Sequence, residues 1–157
     1  SRGLGDVYKR QEQAATPREV FERPATAFVA RFMGDHNVIS GRFRERSGEL
    51  VTLEVAGGGT FTATGAAPDD GAVDIAVRTD RVRVGETDQP GLGFTGIVSN
   101  VEYRGATVKI AVTGAGMEDF NVILSDAAFF ENPVRTGDAI PLSWNAADAI
   151  VLGRVEK

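Results

Sequence analysis

Gly137 to Gly153 reads GDAIPLSWNAADAIVLG, and this stretch decides the fold because an earlier one answers it. Ile140, Leu142 and Trp144 alternate with polar or small residues after a Thr136-Gly137-Asp138 turn, the period of a half-buried strand. Gly71-Ala-Val-Asp-Ile-Ala-Val77 carries the same pattern 67 residues upstream: Val73 answers Ile140, Ile75 answers Leu142 and Val77 answers Trp144. After one inserted residue, Asp80-Arg-Val-Arg-Val-Gly85 answers Asp148-Ala-Ile-Val-Leu-Gly153, and further upstream Gly41 with Leu53 and Val55 matches Gly96 with Ile110 and Val112. A repeat of about fifty to seventy residues, with four or five short strands in each copy, predicts two packed OB-like barrels.

The intervening sequence has the same texture. Alternating runs at Val51/Leu53/Val55, Val108/Ile110/Val112 and Phe120/Val122/Leu124 are separated by turn residues at Ser47-Gly48, Gly57 to Gly59, Pro68-Asp69-Asp70-Gly71 and Arg104-Gly105. The expected body is therefore mainly β over 37–157, in halves at about 37–88 and 93–157, with Gln89-Pro90-Gly91-Leu92-Gly93 as the linker.

Before the body, residues 12–36 read as a helical tail. Thr16 caps a helix with Pro17 at its first position and Glu19 closing a capping box, and Pro24 restarts the chain one short helix later. In the second helix Phe28, Val29, Phe32 and Met33 share one face and Gly34 ends it, so an interdomain docking role is expected of those four residues. Residues 1–11, SRGLGDVYKRQ, resemble a translated sequencing adapter and are set aside from fold reasoning. Arg2, Lys9 and Arg10 against Asp6 give them about +2, so with −5 for the whole chain the rest carries about −7.

The apolar content suffices for one core without disulfide or metal staples. Cysteine is absent, which permits a reducing compartment. No apolar run is long enough to span a bilayer, so membrane attachment is expected only through a partner. The acidic balance opposes a phosphate-backbone ligand, whose affinity comes from clustered Lys and Arg, and no nucleic-acid partner is expected.

Several phrases resemble one family. TPREVFERPATAFVARFMGDHN at Thr16 to Asn37 resembles the junction between nucleotide-binding and regulatory domains in ATP-binding subunits of ABC importers of the polyamine, ferric-iron and maltose type. VRTDRVRV at Val77 to Val84 resembles the family's "VRPERVRL", with Thr79 in place of proline and hence a looser strand start expected. GIVSNVEYRGATVKIAV at Gly96 to Val112 and the opening stretch complete the likeness. The resemblance implies a transport-associated OB domain, the type called TOBE, whose role is to keep two ATPase subunits associated as a homodimer. Its missing ATPase domain would bind ATP and Mg and meet the membrane permease subunits at the cytoplasmic face of the inner membrane. FVARFMGDHNVISG resembles the polyamine (spermidine/putrescine) importers most, with ferric iron and other solutes behind.

Catalytic chemistry is not legible. No GxxxxGK[ST] phosphate loop and no LSGGQ signature occurs, so no cofactor and no ATP hydrolysis are expected of these residues themselves. His36 is the single histidine and has no cysteine to join it, which favours a capping or interdomain hydrogen bond over a metal ligand. Asp69-Asp70 and Glu118-Asp119 read as solvated acidic pairs. Tyr103 beside the Arg104-Gly105 turn reads as packing, Trp144 as core, and Phe129-Phe130 as the cover of a barrel end or a subunit contact. Two other readings stand beside the regulatory one: an oxyanion-binding OB module, with the Gly57 to Thr60 loop as its suggestive place, and, less favoured, a single-strand nucleic-acid binder.

Overall fold

The computed structural model describes residues 35–66 and 71–152. The expected helical pair, the adapter-like segment, the docking face Phe28, Val29, Phe32 and Met33, and the Asp69-Asp70 turn lie outside the described residues.

The first body is a closed barrel of β1 (His36–Ser47), β2 (Leu50–Glu54), β3 (Thr60–Thr64), β10 (Ala149–Val151) and β4 (Ala72–Arg78), in that order around the ring. Alternation places Ile39, Val51, Leu53, Phe61, Ala63, Val73, Ile75 and Val77 inside, each nearly solvent-free. Gly41 has to be glycine for this closure, because a Cβ there would strike the Glu54 carbonyl and lie 2.7 Å from Leu53 Cδ1.

The second body is a five-stranded sheet ordered β5 (Arg83–Val84), β9 (Ala139–Ser143), β6 (Gly93–Tyr103), β7 (Thr107–Gly114) and β8 (Met117–Ser125). It curls into a half-barrel that stays open between β5 and β8. A six-residue helix, α1 (Asp126–Glu131), follows β8, with Ser125 Oγ accepting the Ala128 N–H at 3.1 Å as N-cap.

Register shows how the copies correspond. Gly41 pairs with Val73 as Gly96 pairs with Ile140, and Phe43 faces Leu53 as Val98 faces Val112. Both long strands shift register at the same place, between Phe43 and Glu45 and between Val98 and Asn100, so each copy carries the bulge that bends its barrel. Leu53 opposes Phe61 as Val112 opposes Phe120. Two details of the sequence alignment are thereby corrected. Val51 and Leu53 correspond to Ile110 and Val112, a slip of two residues that alternation tolerates because it keeps every side chain on its face. No residue is inserted before the last strand either: Val84 pairs with Leu142 as Val151 pairs with Ile75, at a constant separation of 67, and the buried equivalents are Val82 and Ala149. Asp80 therefore corresponds to Ala147 and not to Asp148.

The halves also exchange strands. β10, from the second half, closes the first barrel against β4, while β5, from the first half, pairs with β9 in the second sheet. The linker is equally shared: Thr62 N donates to Gly91 O at 2.9 Å and Trp144 N to Leu92 O at 3.0 Å. Trp144 lies between the two corresponding phenylalanines, stacked on Phe61 at 6.0 Å and on Phe120 at 5.6 Å, with Phe94 edge-on to Phe61, Phe120 and Trp144. One continuous core thus runs through both bodies.

Candidate functional site

β8 would be an exposed sheet edge, open to unwanted pairing, but the first half covers part of it. The buried Asn37 donates from Nδ2 to Asn121 O at 2.8 Å and accepts the Asn121 N–H on Oδ1 at 2.7 Å, so one carboxamide imitates a neighbouring strand. Next along the edge, Ile123 N donates to Thr79 O at 3.0 Å, and Thr79 N donates to Asp35 O at 3.0 Å. A proline at position 79 would lack that second donor. The looser strand start expected at Thr79 is therefore not found: the residue is buried and bonded on both sides of its peptide.

Beyond Ile123 no described residue pairs with the edge, and a cavity of about 440 Å³ opens between β5, β8 and α1. Val82, Ile110, Ile123 and Phe129 make its apolar wall, and Arg83 and Glu131 are among the polar groups that line it. The corresponding seam in the first barrel is closed by the pairing of Ile150 with Thr64.

On the other side of α1 an aromatic platform faces solvent. Tyr103 and Phe130 stack at 6.1 Å with planes 13° apart and are 62% and 59% exposed, while Phe129 is buried edge-on beneath them. The Asp126 N–H donates to Ala106 O at 2.9 Å and fastens α1 to the β6–β7 turn, which brings these rings together. Phe129 thus covers the barrel end and Phe130 is presented outward, a division the adjacent letters do not reveal.

His36 begins β1 opposite Arg78 and is buried. Glu118 and Asp119 lie within β8 and are exposed. In the Gly57 to Thr60 loop, Gly58 N donates to Val55 O and Gly59 O accepts from Val55 N, both at 2.9 Å. The Gly58 donor is thereby used inside the turn instead of pointing at a ligand. Trp144 is core, and its indole Nε1 has no hydrogen-bond partner among the described residues. Among those residues no three His, Asp or Glu side chains form a metal-holding group, and no helix is long and apolar enough to cross a membrane.

Comparison with known proteins agrees with this architecture. Residues 75–152 match the TOBE domain family. The chain is 33% identical over 147 residues to the spermidine/putrescine import ATP-binding protein PotA of Thermobifida fusca, covering 91% of this chain and 38% of that protein. It is 36% identical over 157 residues to the protein of the same name from Oleidesulfovibrio alaskensis, covering 92% and 42%. The chain thus spans about two fifths of the length of these curated relatives. Among solved structures, the molybdate-bound form of the cytoplasmic molybdate-binding protein ModG superposes with a TM-score of 0.61 at 18% identity, covering 73% of this chain and 94% of that one, a likeness of fold.

Proposed function

From the match of residues 75–152 to the TOBE domain family, we propose that the chain serves as the regulatory and dimerisation module of an ABC importer's ATP-binding subunit. The observation that carries the reading is likeness over some nine tenths of the chain to proteins named for spermidine/putrescine import. Polyamines are accordingly the proposed cargo, ahead of ferric iron.

The geometry suits the role. Exchanged strands, a shared tryptophan and the Asn37–Asn121 bonds make the two halves one stiff body, so a push on one side is passed to the other instead of being absorbed between them. In this reading the body holds two ATP-binding subunits together at the cytoplasmic face of the membrane while their nucleotide sites open and close. ATP and Mg are bound by the nucleotide-binding domain, which also meets the permease, and the residues described above carry no catalytic step. An oxyanion site at Gly57 to Thr60 is less favoured, because the turn uses the Gly58 donor itself.

The test is a full-length subunit from which residues 35–152 are removed, reconstituted with its permease in vesicles. The expected result is retained ATP binding with weakened subunit dimerisation and deregulated spermidine uptake. Dimerisation and uptake equal to those of the intact transporter would refute the assignment.

A further inference from the structure

The second repeat differs from the first where β5 meets β8. Corresponding strands in the first barrel are sealed by Ile150 and Thr64, whereas here α1 is inserted after β8 and the seam holds the cavity of about 440 Å³. That volume falls within the ~300–1,000 Å³ typical of small-molecule sites, which combine an apolar wall with a few polar groups that fix orientation.

The wall says what kind of molecule fits. Val82, Ile110 and Phe129 form a floor that is already buried, and Val84, Ile123, Leu124 and Val134, each at least partly exposed, favour a hydrocarbon body, since covering them removes apolar surface from water on both sides. Asp80, Arg83 and Glu131 are the charged residues lining the same cavity; Asp80 is ion-paired with Arg78 at 2.7 Å, whereas Arg83 and Glu131 are solvent-exposed and take part in no ion pair among the described residues, Arg83 making only a 3.3 Å bond to Asn145 Oδ1. An inorganic oxyanion would meet an apolar wall and the Glu131 carboxylate, and a simple cation would meet the Arg83 guanidinium. A molecule with both charges and an apolar chain answers all of them.

We propose that the β5–β8 seam is a binding site for a small zwitterion with an apolar body, of the amino-acid class, its carboxylate on Arg83 and its ammonium group on Glu131. β5 comes from the first half and β8 with α1 from the second, so such a ligand ties the halves across the seam that β5 and β8 leave open. The inference rests on the cavity and not on the importer reading, and either can fail without the other.

The test is thermal melting and calorimetric titration of the chain with each of the twenty amino acids, plus butylamine and valerate as single-charge probes. An apolar amino acid is expected to raise the melting temperature by about 5 °C at a hundredfold excess over its Kd, with either single-charge probe at least tenfold weaker. R83Q and E131Q should each weaken binding tenfold or more, and A128F, which fills the cavity, should abolish it. The proposal is overturned if no amino acid shifts the melting temperature, or if R83Q and E131Q bind as the parent does.

Discussion

Gly57 and Gly116 meet back to back: a Cβ built on Gly57 would lie 3.6 Å from Gly116 N, and one built on Gly116 3.4 Å from Gly57 N. They are corresponding residues of the two halves, each in the hairpin turn after the second strand of its copy. The pseudo-two-fold relation between the halves therefore passes between these turns. Their chemistry is not equal, however. Gly116 has φ +79°, a left-handed conformation that penalises any side chain, while Gly57 has no such constraint and meets its neighbour at ordinary contact distance. Gly116→Ala should cost about 1–2 kcal/mol in urea unfolding and Gly57→Ala distinctly less. Equal losses would mean that turn contact, not backbone strain, sets the cost.

The Asn37 carboxamide supplies a different kind of link. Asn37→Ala leaves the N–H and C=O of Asn121 without partners at a part-buried site, and each orphaned group costs about 1–3 kcal/mol. A total loss of about 2–4 kcal/mol is expected, with faster amide exchange at Asn121. Asn37→Asp keeps an acceptor for the N–H but turns a carboxylate towards the Asn121 carbonyl, so it should not rescue. Full stability in Asn37→Asp would show that the donated bond contributes nothing.

How much of this was legible in the sequence depends on the element. Alternation in 51–55, 73–77, 108–112 and 140–144 revealed the strands and the inward residues, because a half-buried strand must alternate. It could not fix the pairing of the copies to better than two residues, since a slip of two keeps every face. The exchange of β5 and β10 was hidden because those strands have two and three residues, too few to show a period. The family was readable in the phrases at Val77, Gly96 and Gly137. The seam cavity was not, because it arises from a pairing that β5 and β8 do not make, between residues some forty positions apart.

Nucleotide should leave these residues indifferent. With no phosphate loop in the chain, magnesium and ATP at millimolar concentration are expected to produce no hydrolysis above background and no change in melting temperature, because a ligand stabilises only the state that binds it. A magnesium-dependent rise with ATP would place a nucleotide site on this chain and contradict the division of labour proposed above.

Trp144 gives the most searching test of the two halves as one body. It is the single tryptophan, 1% exposed, and it touches Phe61 of the first half and Phe120 of the second, so its fluorescence reports the core that both share. If exchanged strands and shared rings couple the halves, neither can open while the other stays folded. Denaturant unfolding followed by tryptophan emission and by far-ultraviolet circular dichroism should then give one transition with coincident midpoints. Phe61→Leu and Phe120→Leu each remove one face of the stack, and each should move both midpoints together by an amount corresponding to about 1–3 kcal/mol. If Phe61→Leu shifts only the dichroism transition and leaves the tryptophan transition in place, the halves unfold separately. In that case the strand exchange does not couple them, and the stiffness on which the regulatory proposal relies is absent.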